Sequence, residues 1–79
     1  MVHELKKGIE IGKVLFGIRQ TLRNYKNLSK VLVSGDCRQD IIDRLLEKNI
    51  EVERMDFSKE ELANRLELDF QSEVFGFKK

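Results

Sequence analysis

The stretch VLVSGDCRQDIIDRLLEKNIEVE, residues 31–53, decides the fold of this 79-residue chain. It opens with three apolar residues in a row, which is typical of a strand buried on both faces. A Ser-Gly turn follows, and we predict that Asp36 caps a helix there, with Gln39 three residues on completing a capping box. The apolar stripe of this helix ends before Asn49, a residue suited to a left-handed helix stop. Residues 50–53 then alternate apolar and acidic side chains. We therefore expect a second strand, parallel to the first, with a right-handed crossover between them.

The sequence after this unit predicts one more helix and one more strand. Ser58 and Glu61 have the spacing of a second capping box, which opens a helix through Leu62 and Leu66. After a polar break, residues 74–77 have the composition of a last strand.

The sequence before the unit continues the same alternation. We predict a short opening helix within residues 2–11, a strand over residues 13–16 and a helix from about Gly17 to Lys26. Helices and strands that alternate in this way predict an α/β fold, a three-layer αβα sandwich with a small mixed four-stranded sheet. We expect residues 1–79 to form a single domain.

Composition excludes several classes of protein. No apolar run approaches the roughly 18 residues of a membrane span, and residues 1–11 lack the apolar core of a signal peptide. Cys37 is the single cysteine and cannot form an internal disulfide. A reducing compartment is therefore expected, and we predict a cytoplasmic protein.

Charge is distributed unevenly along the chain. The formal net charge is only +1, but residues 1–31 carry seven basic and two acidic side chains, whereas residues 32–79 carry eight basic and twelve acidic ones. Segregation of this kind creates a positive potential on one part of the surface, which can attract a polyanion. From charge alone, however, a solvated lysine-rich helix is the better explanation.

Catalytic and metal chemistry find little support in the sequence. Cys37 follows a predicted buried strand near a helix start, where a thiolate could be stabilised. The phosphatase loops that use such a cysteine need five residues before an arginine, and here six separate Cys37 from Arg44. His3 is the only histidine and has no second ligand at a useful spacing. We predict a protein that is not an enzyme and that holds no metal and no cofactor.

The segment GKVLFGIRQTLR, residues 12–23, is more informative. A strand delivers the chain to Gly17, which starts a helix bearing Arg19, Gln20 and Arg23 on its accessible side. Amides at a helix start attract phosphate, arginine can bind a phosphate or a guanine edge, and glutamine can pair with a base edge. The alternative is a plain glycine cap followed by solvated arginines. The residues alone leave both interpretations open.

At these residues the chain resembles the kink-turn-binding ribosomal protein family, of the L-seven-Ae and L-thirty-e types. That family opens its RNA-reading helix with a Gly-x-Lys-Gln-Thr-x-Lys-like motif, and residues 17–23 here are GIRQTLR. Residues 12–15, GKVL, are similar to the approach strand of the family, and residues 31–37, VLVSGDC, to its next strand and loop. Residues 58–62, SKEEL, are similar to the start of its following helix. The resemblance spans about residues 8–77.

The resemblance implies an αβα fold that binds kink-turn RNA, a sharply bent helix–internal loop–helix containing tandem sheared G·A pairs. In that family's manner, Arg19 and Gln20 would face the guanine edges of those pairs, and Arg23 would hold a phosphate or a base edge. Gly17 would let the helix start approach the RNA backbone, to which Lys13 would add a contact.

The loop before the last strand, residues 68–71, would by the same resemblance shelter an extruded base, with Leu68 or Phe70 as its apolar cover. Asp36 and Arg38 would lie beside the same groove. We therefore expect a non-catalytic binder of structured RNA in the ribosome or a small ribonucleoprotein, with ribosomal RNA as the expected partner. The alternative is a protein–protein interaction module that kept the fold but lost RNA binding, which the low net charge and Asp69 would suit.

Overall fold

The computed structural model describes residues 2–79, and over this range it contains four α-helices and four β-strands. In chain order they are α1 (Val2–Glu10), β1 (Val14–Phe16), α2 (Ile18–Arg23), β2 (Leu28–Val33), α3 (Gln39–Leu46), β3 (Val52–Arg54), α4 (Lys59–Arg65) and β4 (Val74–Lys78). A single 3₁₀ turn, Tyr25–Asn27, joins α2 to β2. Within residues 2–79, no helix is both long and apolar enough to cross a membrane.

The strands form one mixed sheet in the order β1-β4-β2-β3. β2 and β3 are parallel, with Val31 opposite Val52, so the predicted strand–helix–strand unit is confirmed. β4 lies between β1 and β2 and is antiparallel to both. The last strand in the sequence is therefore one of the two central strands of the sheet.

Helices cover both faces of the sheet, which confirms the three-layer αβα architecture. On one face α2 and α3 pack through Leu22 and Leu45 against Val31, Val33 and Val74. On the other face α1 and α4 pack through Leu5 and Leu62 against Leu32, Phe75 and Phe77. Side chains alternate along a strand, so β2 and β4 each contribute to both apolar clusters.

The predicted cap of α3 is wrong. The helix begins at Gln39, its N-cap is Arg38, and no side chain caps it. Asp36 lies two residues earlier in a turn, where its Oδ1 accepts a hydrogen bond from the backbone N–H of Lys59 at 3.0 Å. The Asp36 carboxylate therefore satisfies a free amide at the start of α4, a different helix.

Two other helix signals are confirmed, the stop at Asn49 and the cap at Ser58, whereas α2 ends at Arg23, short of the predicted Lys26. Asn49 has φ 58°, the left-handed conformation expected after α3. At α4 the Ser58 hydroxyl accepts from the Glu61 N–H at 3.1 Å, and the Glu61 carboxylate accepts from the Ser58 N–H at 3.2 Å. This reciprocal pair is a capping box, as the spacing predicted.

Candidate nucleic-acid interface

One end of the sheet gathers most of the predicted binding residues. β1, β2 and β3 finish at this end, and β4 begins there. The backbone N–H of Gly17 donates to the carbonyl of Val74 at 3.0 Å, and that of Ser34 donates to the carbonyl of Glu73 at 2.9 Å. These bonds fix the start of α2 and the turn after β2 on either side of the first residues of β4.

Gly17 has a backbone conformation that residues with a side chain rarely adopt. Its φ of 86° and ψ of 159° fall in a region that is essentially restricted to glycine. A Cβ built at this position would meet no atom within 4 Å, so the space over the start of α2 is open. The glycine is required by backbone geometry rather than by crowding, and it leaves room for a ligand to approach the main chain.

The polar side chains of α2 point into solvent. Arg19, Gln20 and Arg23 are exposed, and the arginines are neighbours because they lie four residues apart on the helix. Three ion pairs occur among residues 2–79, and neither Arg19 nor Arg23 takes part in them. Both guanidinium groups are therefore available to an anionic partner.

Thr21 is the exception on this helix. The helical wheel places it beside Gln20, but its side chain is completely buried. Its hydroxyl donates to the Gly17 carbonyl at 2.7 Å, and it packs over Gly76, where a Cβ would lie 3.2 Å from the threonine oxygen. Thr21 thus anchors α2 to β4 instead of facing a ligand.

Of the two predicted apolar covers, Phe70 is the exposed one. Its ring packs edge-on against Phe16 with the centroids 5.0 Å apart, and 44% of the residue remains exposed. Phe16 immediately precedes Gly17, so Phe70 lies next to the start of α2. Leu68 is half-buried and packs against the apolar cluster under α1 and α4. We call Gly17, Arg19, Gln20, Arg23 and Phe70 together the α2 surface.

The turn after β2 forms a polar rim beside this surface. Arg38 pairs with Glu73 at 3.1 Å, next to the start of β4. Arg54 donates to the carbonyl of Gly35 at 2.8 Å and to that of Cys37 at 3.4 Å, which holds the turn against the end of β3. Both predicted rim residues, Asp36 and Arg38, thus have partners within the protein.

The ionisable side chains of this turn do not have the pKa shifts that are typical of a catalytic nucleophile. Burial raises the pKa of the Cys37 thiol to about 11, and the charge of Glu73 adds to the effect. The hydroxyl of Ser34 and the backbone N–H of Lys59 hold the pKa of the Asp36 carboxyl below its usual range. In the part of the chain that the structure describes, no three His, Cys, Asp or Glu side chains are grouped as metal ligands.

Lys13 is placed away from the α2 surface. It precedes β1, whereas Gly17 follows β1, so the two residues lie at opposite ends of that strand. At about 3.3 Å per residue, their backbones are roughly 13 Å apart. The structure does not bring Lys13 together with the other predicted residues.

Three further residues shape the interface and were not singled out from the sequence. Phe16 supports the Phe70 ring, Glu73 pairs with Arg38, and Arg54 holds the turn. Only Phe16 carried a usable signal, because it stands directly before the motif glycine. Glu73 lies 35 residues from its partner Arg38 in the sequence, and Arg54 lies 19 residues from its partner Gly35. No local spacing in the sequence indicates such distant pairs.

Comparison with known proteins identifies the fold. No protein-family model matches the sequence, and no curated protein matches it either. Among solved structures, a Bacillus halodurans protein of unknown function is similar with a TM-score of 0.84 and 19% identity, over 99% of this chain and 83% of that chain. The Giardia lamblia 15.5kD RNA binding protein is similar with a TM-score of 0.76 and 15% identity, over 99% of this chain and 70% of that one. At these identities the likeness establishes a shared αβα fold.

Proposed function

We propose that this protein is a non-catalytic RNA-binding protein and that the α2 surface is its binding site. The observation that supports this most is that one short helix carries two unpaired arginines and an exposed glutamine, with an open glycine and an exposed aromatic ring at its start. Arginine and glutamine supply the hydrogen bonds that base edges and phosphates accept. The similarity in fold to the Giardia lamblia RNA binding protein agrees with this function.

The specific target we propose is kink-turn RNA. RNA helices hide their base edges in a deep, narrow groove, so proteins read RNA sequence mainly at loops and bulges. In a kink turn, the guanines of the sheared G·A pairs offer such accessible edges. Arg19 and Gln20 would bind these edges, and Arg23, one turn further along α2, would bind a phosphate or a base edge.

Phe70 would cover a base extruded from the RNA. Aromatic side chains stack on unpaired bases, and one such contact contributes about 1–3 kcal/mol. The Phe70 ring packs edge-on against Phe16 at 5.0 Å, so an exposed aromatic face is already present beside the start of α2. Leu68 would contribute a half-buried apolar wall rather than a stacking face.

The polar rim would orient the bound RNA more than it would raise the affinity for it. Arg38 is exposed and is paired with Glu73, so it would have to share its charge with an incoming phosphate. Asp36 is held by the start of α4 and is an anion, so we propose that it positions the turn and excludes phosphates from it. Ribosomal RNA or a small ribonucleoprotein would present a suitable target.

A titration with two RNAs tests the proposal. One RNA carries a generic kink turn, and in the other the sheared G·A pairs are replaced by Watson–Crick pairs, both at near-physiological salt. We expect tight binding to the first and weak binding to the second. Gln20→Ala should lose about 1–3 kcal/mol of this discrimination, because each base-edge contact contributes that much.

Arg23→Ala and Arg44→Ala form a matched pair for the same titration. Both changes remove one exposed arginine, but Arg44 lies on α3, outside the α2 surface. Arg23→Ala should weaken binding to the kink turn, and Arg44→Ala should not. Equal and weak binding of the unmodified protein to both RNAs would contradict kink-turn recognition and favour a protein-interaction module.

A further inference from the structure

A shallow groove of about 280 Å³ lies at the opposite end of the sheet from the start of α2. Its walls come from α1 and the residue after it, from the residue before β1 and from the start of β2. Six of its lining residues matter here: Glu4, Lys7, Ile11, Lys13, Lys30 and Phe77. We call it the α1 groove, and nothing in the proposed function uses it.

The α1 groove carries excess positive charge. Glu4 pairs with Lys30 at 2.6 Å, and this pair leaves Lys7 and Lys13 without a carboxylate partner among residues 2–79. Both unpaired lysines are exposed. The backbone N–H of Lys78 donates to the Lys13 carbonyl at 2.9 Å, so the end of β4 brings a further exposed lysine to this edge.

The floor of the α1 groove is apolar. Gly8 lets α1 approach the sheet closely, since a Cβ there would lie 2.9 Å from the Phe77 ring. The Lys30 ammonium lies 5.3 Å from the centroid of the same ring, within the range of a cation–π contact. Ile11 is 63% exposed at the end of α1. A ligand would thus meet ammonium groups around an apolar base.

We propose that the α1 groove is a second RNA contact, which binds the phosphodiester backbone of the strand leading away from the α2 surface. The lysines favour this occupant because an ammonium is a point charge that holds phosphate without the planar geometry that reads base edges. Lys13 and Gly17 flank the three residues of β1, which is an edge strand of the sheet. Because α1 and α2 cover opposite faces, the RNA strand would pass around this edge to reach both contacts. The inference rests on the proposed RNA-binding function and deepens it.

Salt dependence tests the phosphate contacts. Each phosphate neutralised changes the slope of log affinity against log salt by about 0.7–0.9. Lys7→Gln combined with Lys13→Gln should therefore reduce the magnitude of this slope by about 1.4–1.8, equally for the kink-turn RNA and its Watson–Crick control. Arg44→Gln combined with Lys48→Gln removes the same charge from α3 and its C-terminal end and should leave the slope unchanged. Equal slopes for the Lys7/Lys13 variant and the unmodified protein would overturn the inference.

Amide NMR spectra separate this inference from the proposed function. With kink-turn RNA added, we expect shifts both at residues 17–23 and at Lys7, Lys13 and Lys30. Shifts at residues 17–23 alone would overturn the α1 groove and leave the proposed function standing. Shifts at the three lysines alone, equal for both RNAs, would contradict both kink-turn recognition and an RNA strand that spans the two contacts. No shift with either RNA, including the case where only anionic phospholipid vesicles shift the lysines, would overturn both.

Discussion

Gly17 occupies a conformation that an alanine cannot share without strain, with φ 86° and ψ 159°. A residue with a side chain that is held in such a region destabilises the folded state by about 1–3 kcal/mol. Gly17→Ala should therefore lower the free energy of unfolding by that amount in urea, although a Cβ there meets no atom within 4 Å. An unchanged unfolding midpoint would contradict the argument that the backbone, and not crowding, demands this glycine.

Cys37 is expected to be unreactive in the folded protein. Burial raises the pKa of its thiol to about 11 from an ordinary 9.0, so at neutral pH its thiolate fraction is about 100-fold below that of a free thiol. An aromatic disulfide reagent should react with the native protein at least that much more slowly than with the urea-unfolded chain. If Cys37 reacted equally fast in the native and in the unfolded protein, its expected protection by burial would be contradicted.

The sequence predicted the exposed residues of α2 better than its buried one. Arg19, Gln20 and Arg23 are charged or long and polar, so solvent exposure follows directly from their chemistry. Thr21 is amphipathic, and its burial depends on Gly76, which is 55 residues away in sequence and leaves room for it. A helical wheel contains no information about that partner.

Asp36 joins the turn after β2 to the start of α4, and its contribution to the stability of the protein should depend on pH. The pKa of this carboxyl is lowered in the folded state, so its contribution to stability is present above the unfolded pKa near 3.8 and is lost as pH falls through the lower folded value. Asp36→Asn keeps the acceptor oxygen for the Lys59 N–H but removes the negative charge at the start of α4. It should therefore lower the free energy of unfolding at pH 7 by about 0.3–1 kcal/mol, the usual contribution of a surface anion at a helix N-terminus. The difference from the unmodified protein should shrink as pH falls below 3.8.

Asp69→Asn provides the control for this pH series. Asp69 is exposed and makes no hydrogen bond or ion pair within residues 2–79, so its replacement should have little effect on stability at any pH. An Asp36→Asn difference that persists unchanged at low pH would show that the charge of Asp36 is not what stabilises α4.

Ser58 should be as important to α4 as Asp36. Its hydroxyl accepts from the Glu61 N–H within the capping box, and replacing such a cap by alanine lowers stability by about 0.5–2 kcal/mol. Ser58→Ala should therefore shift the urea midpoint downwards with an unchanged denaturant slope. A midpoint equal to that of the unmodified protein would contradict the capping role.

The same two helix starts show what local sequence can and cannot predict about elements. The Ser58 box was predicted correctly because its partners lie three residues apart. Asp36 and Gln39 have the same spacing, but the Asp36 carboxylate bonds Lys59, 23 residues further on. A competing long-range partner decides the outcome there, and pattern alone cannot reveal it.

At the scale of the whole molecule, the two apolar clusters should unfold together. They share β2 and β4, whose side chains alternate between the faces of the sheet. Leu5→Ala and Leu45→Ala remove completely buried side chains from opposite faces, and each should lower the free energy of unfolding by about 2–5 kcal/mol. Unfolding followed by Tyr25 fluorescence and by circular dichroism should coincide in both variants. Separate transitions would show that the two faces fold independently.

The layered architecture follows from the order of helices and strands in the sequence, whereas the placement of β4 does not. The sequence predicts a parallel β2–β3 unit because the crossover helix is local. β4 pairs with β1 and β2 over more than 40 residues, and its central position is decided by the packing of Phe75 and Phe77 under α1 and α4. For the same reason, the proximity of Phe70 to Gly17 emerged only with the fold.

The central claim is that the α2 surface, with Phe70 beside it, receives the extruded base of a kink-turn RNA. Photo-crosslinking tests it most directly, with thiouridine placed at the extruded position of the RNA and the crosslinked peptide identified after trypsin digestion. We predict a crosslink within residues 66–78, at Phe70 or Leu68, that is lost with the Watson–Crick control RNA. A crosslink confined to residues 39–44 of α3, or none at a saturating protein concentration, would contradict the claim.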